Sequence, residues 1–313
     1  MTHPVVAVVG PTATGKSGLG VDLALALDGE IVNADAFQLY RGMDIGTAKL
    51  PEADRRGIPH HQLDILDVSE EASLAAYQSA ARADIAAVRA RGRTPVVVGG
   101  SGLYVRAALD RLDIPPADPD VRARLVAELA RDGVDALRER LGRLDPVAAQ
   151  AIEPRNGRRI VRALEVVELT GRPFSATMPT REHLLPTVTI GLRMPRETLD
   201  ERVASRVRTM WRAGLLDEVR ALEGHGLREG RTATKAVGYA QALAQLDGVL
   251  TADEAQEETA ARTRRLVRRQ ESWFGADPRV HWLDAGRPDL LERALAAVER
   301  AVDGITAGLG ENG

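Results

Sequence analysis

Cysteine is absent from this 313-residue chain, which excludes disulfide bridges and thiolate metal sites and is compatible with a reducing compartment. Long hydrophobic runs are also missing, and the apolar stretch at residues 5–9 is too short for a signal-peptide core or a membrane span. The net charge is only −3, which argues against a uniformly basic surface but allows local basic patches. We therefore predict a soluble, cytoplasmic protein, and a hydrophobic content of 44% is enough for a sizeable core.

Lysine is scarce as well. Of the 42 basic residues, only Lys16, Lys49 and Lys235 are lysines, so arginine supplies almost every generic positive charge. A lysine that persists against this bias is a candidate for a specific role. For Lys49 and Lys235, an ordinary solvated position is the alternative interpretation.

The clearest feature that is present is a phosphate-binding loop. Residues 10–17 read GPTATGKS, the G-x-x-x-x-G-K-S pattern, between an apolar run and a stretch with helical periodicity. The glycines allow backbone N–H groups to wrap an anion at the positive end of the following helix. In this pattern Lys16 reaches the outer phosphates and Ser17 holds Mg2+ through its hydroxyl.

The order of elements predicts an α/β fold, with a P-loop core whose parallel sheet is flanked by helices. Three prolines at residues 114–119 then interrupt the pattern, and the chain is purely helical until strand character returns at 188–192. We therefore predict an all-helical insertion at 116–186 within a core formed by 1–115 and 187–313, the last part being mainly helical. In the first part, strands are predicted at 5–9, 31–32, 63–66 and 94–98, and a helix at 73–90.

Two loops are expected at the sheet edge that carries the phosphate loop. Asp35 follows a short predicted strand, so its carboxylate can take a proton or help to order a metal there. A turn or helix-capping role is the alternative for an aspartate in a loop. The strand at 94–98 runs into GGSG, where a P-loop hydrolase usually has an acidic residue. We therefore expect close backbone binding at that point, with Ser101 as the available hydroxyl, and no metal-centred nucleotide hydrolysis.

Arginines crowd two predicted helices, with four between residues 155 and 162 and five between residues 262 and 269. The planar guanidinium suits phosphate, so both clusters are candidates for RNA contact. Neighbouring glutamates allow the alternative of salt-bridged, solvated faces. The adjacent residues His60 and His61 lack a third ligand, and we interpret them as structural.

Six segments, in the same order along the chain, resemble those of the bacterial tRNA dimethylallyltransferases. The segments are GPTATGKS, EIVNADAFQLYRGMDIGTAK, HHQLDILD, VVVGGSGLY, RRIVRALEV and KAVGYAQAL. The resemblance implies transfer of a dimethylallyl group from dimethylallyl diphosphate to N6 of adenosine 37 in tRNA, next to the anticodon. It also implies Mg2+ as cofactor, a helical insertion that contacts tRNA, and a channel that diphosphate and the RNA base enter from opposite sides. We expect a monomer without an obligatory protein partner.

The motif and the resemblance together assign site residues. Asp35 is expected to be the general base, with Ser101 as a second catalytic residue and Ser17 as the metal ligand. The diphosphate- or nucleotide-binding set is Gly10, Pro11, Thr12, Ala13, Thr14, Gly15, Lys16, Ser17 and Arg206. The tRNA-binding set is Asp35, Ala36, Phe37, Gln38, Ser101, Arg122, Arg158, Arg159, Ile160, Val161, Arg162, Lys235, Ala236, Val237, Gly238, Tyr239 and Ala240. One departure from the family pattern is Ala36, where the family usually has serine, so a hydrogen bond from that hydroxyl is missing.

Three functions compete: a tRNA prenyltransferase, a P-loop kinase for a small metabolite, and a non-catalytic, nucleotide-switched RNA-binding module. The kinase requires an acidic metal residue after a strand, and the glycines after residue 98 argue against it. The switch requires a hydrolytic machinery that the sequence does not show. Prenylation of a free adenine nucleotide is disfavoured because a mononucleotide would not require an arginine-rich insertion. Whether ATP also binds the loop stays open.

Overall fold

A computed structural model describes residues 4–177 and 180–310 of the chain. It divides into two compact units, a larger one made of Met1–Leu109 and His183–Gly313 and a smaller one made of Asp110–Glu182. The larger unit carries the sheet and the phosphate loop.

The larger unit is built on a six-stranded sheet in which every neighbouring pair is parallel, in the order β3-β2-β4-β1-β5-β6. The strands are β1 (Val5–Val9), β2 (Gly29–Asn33), β3 (His60–His61), β4 (Thr94–Gly99), β5 (Thr187–Arg193) and β6 (Val280–Asp284). The central strand β1 is buried along its whole length, as expected for a parallel strand with both faces covered. Because all strands run the same way, the loops after β1, β2 and β4 leave the sheet at one edge.

The α/β class is confirmed, but two details of the sheet differ from the sequence prediction. The strand predicted at 63–66 is wrong, because Leu66 makes only an isolated bridge to Tyr40. Gln62 and Asp64 have φ angles of 56° and 57°, which an extended strand does not allow. The edge strand β6 was not predicted.

Eleven helices are present in the described ranges. They are α1 (Lys16–Ala26), α2 (Leu74–Ala90), α3 (Gly102–Leu109), α4 (Pro119–Leu144), α5 (Pro146–Ala151), α6 (Gly157–Thr170), α7 (Arg196–Arg212), α8 (Leu215–Glu223), α9 (Tyr239–Leu246), α10 (Ala252–Gly275) and α11 (Leu290–Gly310). Within the described residues, no helix has the length and apolar character needed to cross a membrane.

Two apolar clusters of the larger unit hold the elements that surround the phosphate loop. In the first, Leu23 of α1 and Val298 of α11 pack with the sheet residue Val8. In the second, the segment after β2 contributes Tyr40 and Met43, which pack with residues of α8 and α9. This second cluster anchors a long loop beside the sheet edge.

The smaller unit consists of α4, α5 and α6 with a short 3-10 turn, so its helical character is confirmed. Asp145 caps α5 by accepting a hydrogen bond from the N–H of Ala148 at 3.0 Å, with Pro146 in the first turn. Gly171 ends α6 in the left-handed conformation at φ 66°, which glycine adopts without strain. The unit spans Asp110–Glu182, so it overlaps the predicted insertion at 116–186 without sharing its bounds.

Candidate active site

The phosphate loop joins β1 to α1 and closes on its own backbone. Gly10 has a φ angle of 133°, and a Cβ there would lie 2.6 Å from the carbonyl oxygen of Leu192, so only glycine fits. The Thr14 hydroxyl and the Lys16 Nζ both donate to the carbonyl oxygen of Pro11, at 2.8 and 2.6 Å. Gly15, at φ 88°, is the N-cap residue of α1. The loop therefore presents its N–H groups at a helix N-terminus, where an anion is stabilised.

A cavity of about 260 Å³ lies against this loop. It is lined by polar side chains of the predicted catalytic and diphosphate-binding sets and by apolar side chains from β2 and β4. The predicted site residues in its lining are Thr12, Ala13, Gly15, Lys16, Ser17, Asp35, Gln38 and Arg206. The structure thus brings most of the diphosphate-binding set together with Asp35.

Asp35 is held by local hydrogen bonds that orient its carboxylate. Its Oδ1 accepts from the N–H of Phe37 at 3.0 Å, and its own N–H donates to Oδ1 of Asn33 at 3.1 Å. The Asn33 amide is fixed in turn by donating to the carbonyl oxygen of Gln62 at 2.8 Å. Among residues 4–177 and 180–310, Oδ2 of Asp35 has no hydrogen-bond partner. The turn role that we considered for Asp35 is therefore present, and one oxygen is still available to a ligand.

Two cations share the cavity with this carboxylate. Burial in the cavity lowers the pKa of Lys16 to about 8, opposed by the negative charge of Asp35 and assisted by the positive charge of Arg206. Burial also lowers the pKa of Arg206, again against the Asp35 charge. Placing two cations together costs electrostatic energy that an anionic ligand would offset.

Ser101 does not line the cavity. Its Oγ accepts a hydrogen bond from the N–H of Ala36 at 3.3 Å, so it contacts the backbone next to Asp35. The glycines before it are required by close protein neighbours, because a Cβ on Gly99 would lie 2.2 Å from the carbonyl oxygen of Ala34. The sequence indicated close backbone binding at these glycines. Part of the need for glycine comes instead from a close contact within the protein, between Gly99 and Ala34.

The sequence analysis missed Gln270. This side chain on α10 is only 8% exposed; its Oε1 accepts from the N–H of Thr12 at 3.0 Å, and its Nε2 donates to the carbonyl oxygen of Gly100 at 2.9 Å. It therefore joins the phosphate loop to the segment after β4. A signal was present, because Gln270 shares the apolar helical face of Val267 and Phe274, where a polar residue needs a specific partner.

A second, smaller cavity of about 90 Å³ is also lined by Thr12, Asp35 and Arg206. Besides Asp35, three more predicted tRNA-binding residues belong to its lining: Phe37, Ala236 and Val237. The rest of the 235–240 segment is distributed differently: Lys235 is exposed, whereas Gly238 and Tyr239 are buried. The segment therefore combines a solvated cation with a wall of the site.

In the smaller unit, the predicted tRNA-binding arginines fall into two groups. Arg122 and Arg162 both pair with the fully buried carboxylate of Glu165, at 2.8 and 2.9 Å. Arg158 and Arg159 are exposed and make no ion pair within the described part of the chain. Ile160 and Val161, between these arginines, are buried core residues. The first group is thus tied to the packing of α4 and α6, and the second is available to a partner.

The side chains of this site could hold Mg2+ only together with oxygen atoms supplied by a bound ligand. Within the described ranges, no cluster of three histidine or carboxylate side chains could hold a metal. His60 contacts the carbonyl oxygen of Ile58 through Nδ1, and His61 contacts Glu30 through Nε2. Ser17 lines the cavity beside Lys16. Mg2+ is commonly held by few protein oxygens together with substrate phosphates and water, which the Ser17 hydroxyl and a bound diphosphate would supply.

Comparisons with known proteins identify the family of this chain. The family model described as IPP transferase matches residues 38–277. A protein of Thermobifida fusca named tRNA dimethylallyltransferase is 62% identical over 299 residues, covering 94% of each chain, and one of Streptomyces avermitilis with the same name is 61% identical over 301 residues, covering 95% of this chain and 96% of the relative.

Solved structures are similar too. The tRNA isopentenylpyrophosphate transferase of Bacillus halodurans superposes with a TM-score of 0.70 at 39% identity, over 96% of this chain and 98% of that one. A eukaryotic dimethylallyltransferase described as acting on tRNA gives a TM-score of 0.75 at 27% identity, over 90% of this chain and 74% of that one. On the family match and these identities, the chain belongs to the IPP transferase family.

Proposed function

We propose that this chain transfers a dimethylallyl group from dimethylallyl diphosphate to N6 of adenosine 37 in tRNA, releasing diphosphate. One observation carries the proposal: a phosphate loop and a single carboxylate, Asp35, line the same cavity, and glycines stand after β4 where a kinase or hydrolase would place an acid. The names of the relatives point to the same reaction. Because tRNA is its proposed substrate, we propose that the protein acts in the cytoplasm. We also propose that it acts as a monomer.

Departure of the diphosphate is the first requirement of this reaction. The bond between the allylic carbon and the diphosphate oxygen breaks, and negative charge accumulates on that oxygen. Lys16, Arg206 and the N–H groups of the phosphate loop are positioned to stabilise this charge, and such preorganised groups are effective in a site that excludes water. Mg2+ held through Ser17 would neutralise further charge on the diphosphate.

Activation of the amine is the second requirement. The exocyclic N6 of adenine is a weak nucleophile until it loses a proton. As the new bond from N6 to the allylic carbon forms, the proton passes to Oδ2 of Asp35, the carboxylate oxygen without a partner in the described chain. Oδ1 stays with the N–H of Phe37, which keeps the carboxylate oriented for this role.

The RNA base must reach Asp35 from outside the cavity. An adenosine in an anticodon loop becomes accessible when it leaves its stack and enters a protein pocket. We assign Phe37, Ala236 and Val237, which line the smaller cavity next to Asp35, to the wall that receives this base. Lys235, Arg158 and Arg159 are assigned to backbone phosphates, because they are exposed cations that make no ion pair with the residues the structure describes.

The decisive experiment is nucleoside mass spectrometry of an anticodon stem-loop incubated with the protein, dimethylallyl diphosphate and Mg2+. We expect a dimethylallyl adduct on adenosine 37 without ATP, and no adduct when guanosine replaces that adenosine, because guanine has no N6 amine. An unreactive dimethylallyl diphosphate analogue should raise the melting temperature by mass action. Phosphorylation of a metabolite by ATP, or an adduct on the guanosine substrate, would contradict the proposal.

Neutralising Arg158 and Arg159 together should weaken tRNA binding and reduce its salt dependence. Each lost phosphate contact lowers the slope of log K against log salt by about 0.7 to 0.9, while dimethylallyl diphosphate binding should not change. Arg162 is left intact because its loss would leave the buried Glu165 with fewer partners and would disturb folding.

The measurement is a filter-binding titration at several salt concentrations, with Arg158→Gln/Arg159→Gln compared against Arg131→Gln/Arg143→Gln. The control arginines are exposed residues of the same unit that pair with Asp132 and Glu139. Equal salt slopes in the two double variants would mean that Arg158 and Arg159 are solvated charges that do not contact tRNA phosphates.

A further inference from the structure

The loop at residues 44–49 runs beside the active-site cavity and is held by a carboxylate from a distant helix. Glu218 of α8 accepts the N–H groups of three successive residues. Its Oε2 accepts from Asp44 at 3.1 Å and from Ile45 at 2.7 Å, and its Oε1 accepts from Gly46 at 3.3 Å. Successive N–H groups that converge on one anion form a stable, well-defined backbone conformation.

Tyr239 completes this arrangement from a third element. Its hydroxyl donates to Oε1 of Glu218 at 2.5 Å, and its ring is fully buried. The ring packs so closely on the loop that a Cβ on Gly46 would lie 2.3 Å from it. Burial, and next the Glu218 charge, raises the pKa of the Tyr239 phenol, so it stays a neutral donor.

The same loop is fixed at its other end by Lys49. The ammonium group is almost completely buried and donates to the carbonyl oxygen of Tyr40 at 3.0 Å, to Asp44 at 2.5 Å and to Asp64. Asp44 therefore takes part in both arrangements, through its N–H to Glu218 and through its carboxylate to Lys49. The residues between these two anchors have little freedom to move.

Thr47 lies between the two anchors and connects them to side chains of the active-site cavity. Its carbonyl oxygen accepts from Nε2 of Gln38 at 3.2 Å and from Nη2 of Arg206 at 3.4 Å. Arg206 belongs to both active-site cavities and acts on the charge state of Lys16. Glu218 is part of neither cavity lining, and its hydrogen bonds connect it to Arg206 through the loop at residues 44–49.

We propose that Glu218 is a positioning residue that sets the place of Arg206 in the diphosphate site by fixing the 44–49 loop. The proposal rests on the proposed function for its biological meaning, but it concerns the binding of a diphosphate, which can be measured without any transfer. The buried Tyr239 supports this role by donating a hydrogen bond to Glu218.

The test is a double-mutant cycle in the full-length protein, with inorganic pyrophosphate binding measured by calorimetry. Glu218→Gln keeps one acceptor oxygen but turns the other into an amide donor that faces groups which are themselves donors, so the anchor of the loop is weakened. In the wild-type background we expect affinity for pyrophosphate to fall about tenfold, and in an Arg206→Gln background by less than about twofold, because coupled residues are not additive. A purely structural role would lower the melting temperature without such coupling.

Two further variants make the result decisive. Asp217→Asn alters an exposed neighbour in the same turn that pairs with Arg220, and it should leave pyrophosphate affinity unchanged. Tyr239→Phe removes one donor to Glu218 and should give a smaller loss with the same dependence on Arg206; it replaces Glu218→Gln if that variant does not fold. Additive effects in the cycle would overturn the proposal, whereas absence of prenyl transfer by the wild type would overturn only the proposed function.

Discussion

Replacing Asp35 by asparagine should reduce the rate of transfer by about 10²- to 10⁴-fold, the range associated with the loss of a general base. Asparagine keeps an oxygen that can accept from the N–H of Phe37, so the turn should persist. The variant should bind diphosphate at least as tightly as the wild type, because removing a negative charge next to Lys16 and Arg206 removes repulsion toward an anionic ligand.

The measurement is a single-turnover rate with saturating dimethylallyl diphosphate and tRNA, together with separate binding constants for each. Asp67→Asn is a suitable control, since Asp67 is an exposed aspartate paired with Arg41 outside both cavities. If Asp35→Asn retains more than about a tenth of the wild-type rate, another group accepts the proton.

The second large effect is expected for Lys16→Met, which should reduce the rate about 10²- to 10³-fold by removing one preorganised charge from the leaving diphosphate. Affinity for inorganic pyrophosphate should fall as well. The chain offers a matched control, because Lys235 is an exposed lysine and Lys235→Met should leave pyrophosphate affinity unchanged. Similar losses of pyrophosphate affinity in both variants would mean that Lys16 has no specific role.

The lowered pKa of Lys16 adds a dependence on pH. Because the pKa of this side chain is about 8, the protonated form that binds an anion dominates below pH 8 and is lost as the pH rises through that value. Pyrophosphate affinity of the wild type should therefore decline above pH 8. In Lys16→Arg the decline should be weaker because arginine stays charged, and since the ligand's own ionisation is common to both proteins, equal pH profiles would contradict this assignment.

Local sequence determined a large part of this protein. The spacing of glycines, lysine and serine in GPTATGKS specifies a loop whose contacts lie within a few residues, such as those of Thr14 and Lys16 with the carbonyl oxygen of Pro11. The capping residues Asp145 of α5 and Gly171 of α6 likewise act over one helical turn, so they depend on local sequence.

Predictions failed where tertiary contacts decide the backbone. Residues 63–66 are apolar enough for a strand, yet the left-handed conformations of Gln62 and Asp64 turn the chain beside the site. The edge strand β6 is short and only partly buried, so its pattern alone did not distinguish it from a loop. In both cases a neighbour distant in sequence supplies the partner that stabilises the segment.

The contacts of Gln270 and Glu218 illustrate the same division. Gln270 and Thr12 are 258 positions apart in the chain, and Glu218 and Asp44 are 174 apart. Sequence alone identified the phosphate loop, the candidate carboxylate and the α/β class, because each depends on residue type and on short-range periodicity. Only the tertiary structure decided which distant side chains hold those groups in place, since a buried polar group takes whichever partner the fold brings within hydrogen-bond distance.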